Sequence, residues 1–379
     1  MALGRRTALS RTPPREGGAE SCAERAANAQ PAAIATESLR RGARANSPSA
    51  RAGFTGSGAA PLGERCWDEF DLDLDAVDIG SDDMAKAVSF TLGRLASGER
   101  SATGTLTEEF RTQIVLTARR IARLRGAIQG GNMGVVFQPI IALASLQLHH
   151  HEMLARFQRN TSPAETIRFA EQVGMVEEID LTMCRHALAI LGVRASEPLD
   201  LAVNISGKSL GSDSFVEALM QLLKPEARLA KQILFEITES TAITDLPRVE
   251  RIISELRRRG YRICLDDFGA GASSFTYLQA LSVDFVKIDG SYVGRMHESA
   301  KDRAILKSMV ALCRDLGVGV IAEMVERVDQ AQALLEMGIR YGQGYLFGRP
   351  SSTLSGFPAP LTTATLPSPL PTPHRANLA

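Results

Sequence analysis

From residue 134 onward, short β-like runs alternate with amphipathic helical segments. No other feature narrows the fold as much. The runs cover 135–141, 148–157, 199–205, 233–237, 262–265, 285–288, 318–322 and a stretch around 341–347. Helical spacing falls between most of them, at 163–173, 178–191, 246–259, 300–316 and 329–337. Strands interleaved with helices in this way predict one α/β domain, a (β/α)-barrel. Only a short loop separates the first two runs, so they are expected to pair antiparallel and make the barrel a variant form. An open doubly wound sheet is the alternative. It is disfavoured because no G-x-G-x-x-G follows the first run.

The flanks read differently. Residues 1–65 hold ten Arg, no Lys and five Glu, with almost nothing large and apolar to bury, and are expected to be disordered. Interspersed Glu16, Glu20, Glu24 and Glu37 weigh against an organelle transit peptide; an extended or misassigned start is a further reading. Residues 66–104 are expected to form an acidic linker or partly ordered segment. The acids from Asp68 to Asp83 read as solvated rather than as a calcium loop, which needs a Gly and a closing Glu at fixed spacing. A leading helix is predicted over 105–131. Thr105 and Glu108 fit a capping box, Phe110, Ile114, Ile121, Leu124 and Ile128 form one stripe, and Gly130-Gly131 stops it. Packing on the next domain is favoured over relaying a signal. The barrel is expected over 132–351, and the Pro/Ser/Thr-rich residues 352–379 read as a second disordered tail.

The 43 basic and 43 acidic residues balance, so the chain has no overall field for DNA or RNA, and neither is expected as a partner. Five cysteines, none in C-x-x-C, argue against a disulfide framework and fit a reducing cytoplasm. No apolar run is long enough to span a membrane.

The chemistry collects where the apolar runs end. Ile263–Cys264–Leu265 stops in two adjacent carboxylates, Asp266 and Asp267, before the turn glycines Gly269 and Gly271. Glu152, Asn204, Glu236, Lys287 with Asp289, Glu323 and Gln343 close other runs. Charge at a strand end is costly unless paired or metal-bound. In a barrel such ends meet on one face, so the series predicts a composite site. Glu152, Leu154 and Arg156 alternate and share one strand face. Carboxylates and an amide, without an obligatory Cys or His, point to hard cations, Mg²⁺ or Mn²⁺, rather than Zn²⁺. Lys287 is expected to orient water or hold developing negative charge; an ion pair to Asp289 or Asp267 is the competing role. Of His149, His150 and His151, parity places only His150 on the face of Glu152, and solvated or core roles are preferred to metal ligation. Glu239 and Glu326, three residues after Glu236 and Glu323, are expected to support loops or helix starts.

Together F-Q-P-I, E-M-L-A-R, V-N-I-S, F-E-I-T-E, L-D-D-F-G-A-G, V-K-I-D, A-E-M-V-E and Y-G-Q-G-Y-L-F-G-R-P resemble, in order, the motifs of EAL-domain cyclic-di-GMP phosphodiesterases. The resemblance implies a variant TIM (β/α)8 barrel with one antiparallel strand, hydrolysing cyclic di-GMP to linear pGpG with two divalent cations. It implies that Glu152, Asn204, Glu236 and Asp266 hold the first cation. Asp266 and Asp267 would share the second, with Glu323 nearby. Lys287 and Gln343 would position the hydrolytic water, Gln138 and Arg156 would contact the substrate, and Glu239 would anchor the D-D-F-G-A-G loop. It also implies a homodimer through 273–281, after that loop. Three positions depart from the family pattern: Met153 in E-A-L, Ala270 for the Thr of D-D-F-G-T-G, and Met324 for the Gly of A-E-G-V-E. Every position that would carry ligand or proton chemistry is kept, so an active enzyme is favoured over a catalytically silent module that binds the nucleotide or a protein. A phosphate-handling barrel of another substrate class is a third reading. No G-G-D-E-F signature is present.

Overall fold

Eight strands close into a barrel in sequence order, β1 (Gly134–Ala142), β2 (Gln147–Arg156), β3 (Leu201–Ser206), β4 (Ile233–Thr238), β5 (Arg262–Phe268), β6 (Phe285–Ile288), β7 (Gly319–Ala322) and β8 (Tyr341–Gln343). The structure is a computed structural model, and it describes residues 80–97, 106–157, 161–194, 198–238, 243, 245–271 and 273–354. The expected tails, Thr105 of the capping box, Glu239 and the acids before residue 80 lie outside the described residues.

β1 runs antiparallel to both neighbours, β2 and β8, and every other adjacent pair is parallel. The short loop between β1 and β2 has this consequence, because only a hairpin can join two strands so tightly. The last run was expected to extend to Phe347, but β8 is three residues long. Beyond it Gly344 accepts from the amides of Phe347 and Gly348, so the chain turns instead of pairing.

Two helices come first, α1 (Ser81–Ala96) and α2 (Leu106–Gln129). α1 is an ordered stretch inside the segment read as an acidic linker or partly ordered segment. Asp82 and Asp83 open a helix, where their charge suits the helix dipole. Contacts divide the chain between Arg119 and Arg120, inside α2, whereas the sequence placed the boundary at 131/132. The C-terminal half of α2 belongs with the barrel: Leu124, Ala127 and Ile128 are buried, the Arg120 guanidinium lies 3.9 Å from the Phe169 ring centre, and Arg125 pairs with Glu178 at 3.0 Å.

The strands are wrapped by α3 (Pro163–Gln172), α4 (Val176–Val193), α5 (Gly207–Leu210), α6 (Asp213–Leu223), a 3₁₀ segment (Lys224–Gln232), α7 (Leu246–Arg258), α8 (Ser274–Ala280), α9 (Gly290–Arg295), α10 (Ala300–Asp315) and α11 (Val328–Glu336). Polar caps start several of them: Ser162 accepts from the Glu165 amide, Asp245 from Arg248 and Ser299 from Asp302.

Inside the barrel, six strands deliver an apolar residue and then, two positions later on the same face, a polar one. The pairs are Ala202/Asn204, Leu234/Glu236, Cys264/Asp266, Phe285/Lys287, Ile321/Glu323 and Tyr341/Gln343. The first members, with Ile140, pack into one apolar layer. The polar layer sits on it at the C-terminal ends of the parallel strands.

A bulge alters the histidine assignment. Register slips between Ile140 and Ile141, pairing them with His150 and Leu148 and leaving His149 as the extra residue. His149 therefore does not face away from the interior: its ring lies 4.2 Å from the Tyr341 ring and 5.7 Å from Phe285, both packed on the apolar layer. Its Nδ1 is 2.6 Å from His150 Nδ1, and His150 is 1% exposed. Burial, then the neighbouring His149 and Arg262, push His150 well below the usual histidine range. His150 is thus a core histidine, and His149 packs half-buried beside it.

The segment after β7 depends on a glycine. A Cβ on Gly344 would fall 2.1 Å from the Val325 carbonyl oxygen and 2.3 Å from its nitrogen, and backbone cannot yield there cheaply. Gly344→Ala is expected to cost about 2–3 kcal/mol and to lower the urea midpoint without changing the slope of the transition. An unchanged midpoint would mean the 323–325 segment is not held as described.

Candidate active site

Lys287 is the centre. β6 carries it into the barrel two residues beyond Phe285, where it is 2% exposed. Its ammonium lies 2.8 Å from Glu323 Oε1, 3.1 Å from Asp266 Oδ1 and 3.3 Å from both Glu152 Oε2 and Glu236 Oε2. One buried cation thus faces four carboxylates from four strand ends. The competing ion pairs with Asp289 or Asp267 do not form; Asp289 instead caps α9 by accepting from the Ser291 amide.

Two amides complete the layer. Asn204 Nδ2 donates to Glu152 Oε1 at 2.8 Å, and Gln343 Nε2 donates to Glu152 Oε2 at 2.6 Å. Gln343 Nε2 also reaches Gln138 Oε1 at 3.2 Å, and Gln138 Nε2 donates to the Gly348 carbonyl. Gln138 is therefore tied to the site. Arg156, at the end of β2, donates to the neighbouring Ala155 carbonyl and is not drawn into the cluster. Asp267 is exposed, yet one ligand atom from each of Asp266, Asp267 and Glu323 lies within 4.8 Å of the others.

The charge imbalance sorts these acids. Burial works to raise Glu152, but Lys287 and the amides of Gln343 and Asn204 overcome it and hold the carboxyl below its usual range. Glu236 is 0% exposed; burial and then the neighbouring acids outweigh Lys287 and push it well above that range. Burial and Asp266 push Glu323 up to about 7. Asp267, exposed but partly shielded from water, is pushed up to about 6 by lost hydration and then by Asp266. Burial pulls Lys287 down, but Asp266, Glu152, Glu236 and Glu323 together raise it, so it stays charged.

Several oxygens lack donors. Glu236 Oε1, Asp266 Oδ1 and Gln343 Oε1 are buried without a hydrogen bond. Asp266 Oδ1 is within ion-pair range of Lys287 but accepts no hydrogen bond from it. Buried acceptors left open in this way are costly. An all-oxygen donor set, surplus negative charge and orphaned buried acceptors fit hard divalent cations.

A supporting network was not read from the sequence. Asp180 on α4 accepts from the Ser206 amide at 2.9 Å and the Ser209 hydroxyl at 2.7 Å, while Ser206 Oγ bonds Glu171 of α3. This fixes the end of β3 two residues beyond Asn204. Burial pushes Asp180 up to about 7. The signal was available: Asp180 lies on the stripe of α4 that buries Val176, Ile179 and Met183.

Residues 121–350 match the EAL domain family. The chain belongs to that family. Over 240 residues it is 37% identical to the cyclic di-GMP phosphodiesterase PdeB of Shewanella oneidensis, covering 62% of this chain and 28% of that protein. It is 32% identical over 234 residues to the cyclic di-GMP phosphodiesterase PdeF of Escherichia coli, covering 60% and 31%. The chain thus spans about three tenths of the length of these curated relatives. The barrel superposes with a TM-score of 0.56 on the FimX EAL domain of Pseudomonas aeruginosa, solved bound to c-di-GMP, at 27% identity, covering 62% of this chain and 98% of that one.

Removing the central ammonium tests the electrostatic account. Lys287→Met is expected to cost about 3–5 kcal/mol at pH 8, since four acids then lose their only buried counter-charge. The loss should shrink by pH 6. Carboxyls whose folded pKa is raised, Glu323 to about 7 and Asp267 to about 6, favour the protonated folded state, and that contribution fades as pH rises through those values. Urea unfolding with EDTA at both pH values measures it; equal losses would refute the charge imbalance.

Proposed function

We propose that this EAL domain hydrolyses cyclic di-GMP to linear pGpG with two divalent cations, Mg²⁺ or Mn²⁺, lowering a bacterial second messenger in the cytoplasm. One observation carries the reading: seven polar side chains, Glu152, Asn204, Glu236, Asp266, Lys287, Glu323 and Gln343, meet at one end of the barrel with more acid than one ammonium can balance. The names of the relatives supply the substrate class.

Glu152, Asn204, Glu236 and Asp266 offer oxygens to the first cation. Asp266 and Asp267, with Glu323, offer oxygens to the second. When bound, such cations neutralise the phosphodiester and lower the pKa of a water at the phosphorus. Around them, this chain's groups do the positioning. Lys287, charged throughout the working pH range, holds Glu323 and Asp266 in place and offers a donor to the water or to charge developing on the phosphoryl oxygens. Gln343 orients the same region through its open Oε1 while its Nε2 fixes Glu152. Gln138, tied to Gln343, and Arg156 face the substrate. Glu239 anchors the D-D-F-G-A-G loop.

The reading is tested by incubating the full chain with cyclic di-GMP and Mn²⁺ and separating the products. Turnover to pGpG is expected, abolished by EDTA and reduced at least a thousandfold by Glu152→Ala, on the order of the loss of a direct cation ligand together with its electrostatic contribution. Binding of the nucleotide without turnover would establish instead the silent module.

Self-association is proposed through α8 and its neighbour α10. Phe275 is 52% exposed, and the groove beside it, about 380 Å³, is lined by Ile305, Met309 and Leu312. Light scattering is expected to give a dimer for the full chain and a monomer for Phe275→Glu; a monomer before substitution would remove the proposal.

A further inference from the structure

Among the described residues, three other than glycine adopt positive φ: Leu146 (57°), Asp267 (53°) and Met324 (53°). Leu146 turns the β1–β2 hairpin. The other two each follow directly on a site carboxylate, Asp266 or Glu323. Aspartate tolerates the left-handed conformation, whereas methionine does so only at a cost. Met324 is also 60% exposed, so burial of its side chain does not offset that cost.

The neighbours of Met324 explain how it is held. The Glu323 amide donates to the Ile288 carbonyl of β6. Val325, fully buried, donates to the Gln343 carbonyl of β8 and accepts from the Leu346 amide. The two flanking residues are tied to different strands, and the one between them absorbs the turn. Its side chain then lies flat on Gly290. A Cβ placed there would fall 2.3 Å from Met324 Cγ, 2.4 Å from Sδ and 2.6 Å from Cβ. Gly290 is three residues beyond Lys287, and Met324 is one beyond Glu323. The contact therefore runs alongside the 2.8 Å Lys287–Glu323 pair and joins the two loops that carry it.

We propose that Met324 is a positioning residue: its side chain, seated on Gly290, clamps the β7 loop to the β6–α9 corner and fixes the Glu323 carboxylate beside Asp266 and Asp267 for the second cation. The proposal rests on the divalent-cation reading above. A glycine at 324 relieves the backbone but removes the clamp. An alanine at 290 dislodges the clamp from the other side. The two substitutions therefore act on one contact and should not add.

The full chain and its Met324→Gly, Met324→Leu, Gly290→Ala and Met324→Gly/Gly290→Ala variants are titrated with Mn²⁺ by calorimetry, and thermal midpoints are recorded in EDTA. Met324→Gly is expected to weaken the second Mn²⁺ about tenfold, as loss of a residue supporting a metal ligand does. The first Mn²⁺ and the KM for nucleotide at saturating Mn²⁺ should be unchanged. Met324→Leu, which keeps Cβ and Cγ, should restore most of the affinity. Gly290→Ala should lower the midpoint in EDTA, and adding Met324→Gly should recover it. Unchanged Mn²⁺ affinity in Met324→Gly, or additive midpoints in the double variant, overturns the proposal. No Mn²⁺ uptake by the unsubstituted chain sinks the cation reading and this inference together, so the two failures are distinct.

Discussion

An ammonium inside a protein is expensive to desolvate, and so is each carboxylate beside it. Lys287 is fully buried among four acids. The group can exist only if the acids hold it charged, and the acids can coexist only if something holds them apart in protonation. Both conditions are met unevenly. Glu152 collects Lys287 and two amide donors, which hold its carboxyl below its usual range. Glu236 has the ammonium but no amide, so burial and the neighbouring acids raise its pKa, as they do that of Glu323, and both groups resist ionisation. The arrangement is poor as a structural ion-pair network, because pairing is incomplete and buried oxygens lack donors. It is well suited to taking up positive charge. The same features that weaken the fold thus specify the ligand, as expected where function sets local rules against stability.

The barrel supplies this arrangement cheaply because every parallel strand repeats one step. An apolar residue enters the interior layer, and the residue two positions on reaches the rim above it. The apolar layer of Ile140, Ala202, Leu234, Cys264 and Ile321 is therefore the floor on which the charges stand. Water excluded from below leaves the polar layer one open side. Cys264, directly under Asp266, shows how dry that floor is: burial, then nearby Glu236, pushes its thiol well above the ordinary range. The antiparallel β1 fits the same logic. Reversed, it places Gln138 rather than Ile140 at the upper layer, opposite Glu152, with Ile140 below opposite His150.

Much of this was legible from residue order alone. The apolar runs fell within a few residues of the strands, and their closing residues named the site, because strand period and polarity are local properties. What was missed depends on events that are not local. The bulge at His149 adds one residue to β2; parity holds for His150 but not for His149, which a regular strand would have turned away. α1 was hidden by counting its acids as linker charge, although Met84, Ala87 and Thr91 form a buried stripe beneath them. β8 was read four residues too long because Tyr345, Leu346 and Phe347 look like strand; a turn around Gly344 uses them to cover the end of the barrel. Asp180 carries no strand-end signal, since it acts from a helix on the end of β3.

Two rim acids deliver their carboxylates through backbones that are themselves constrained. After Asp266 and again after Glu323 the chain turns left-handed, a bend that a relaxed L residue avoids. At Asp267 the turn returns the chain at once, the Ala270 amide bonding the Asp267 carbonyl, and leaves the second carboxylate outside the barrel wall but within reach of the first. At Met324 it lets residues 323 and 325 attach to different strands. Each bend converts a continuing strand into a fixed corner, and a carboxylate at a fixed corner cannot relax away from like charge as a flexible one would. The repulsion is therefore retained in the folded protein and contributes to the raised pKa values of Asp267 and Glu323. Strain in two short loops and like charge on the rim are the same constraint seen through backbone and side chain.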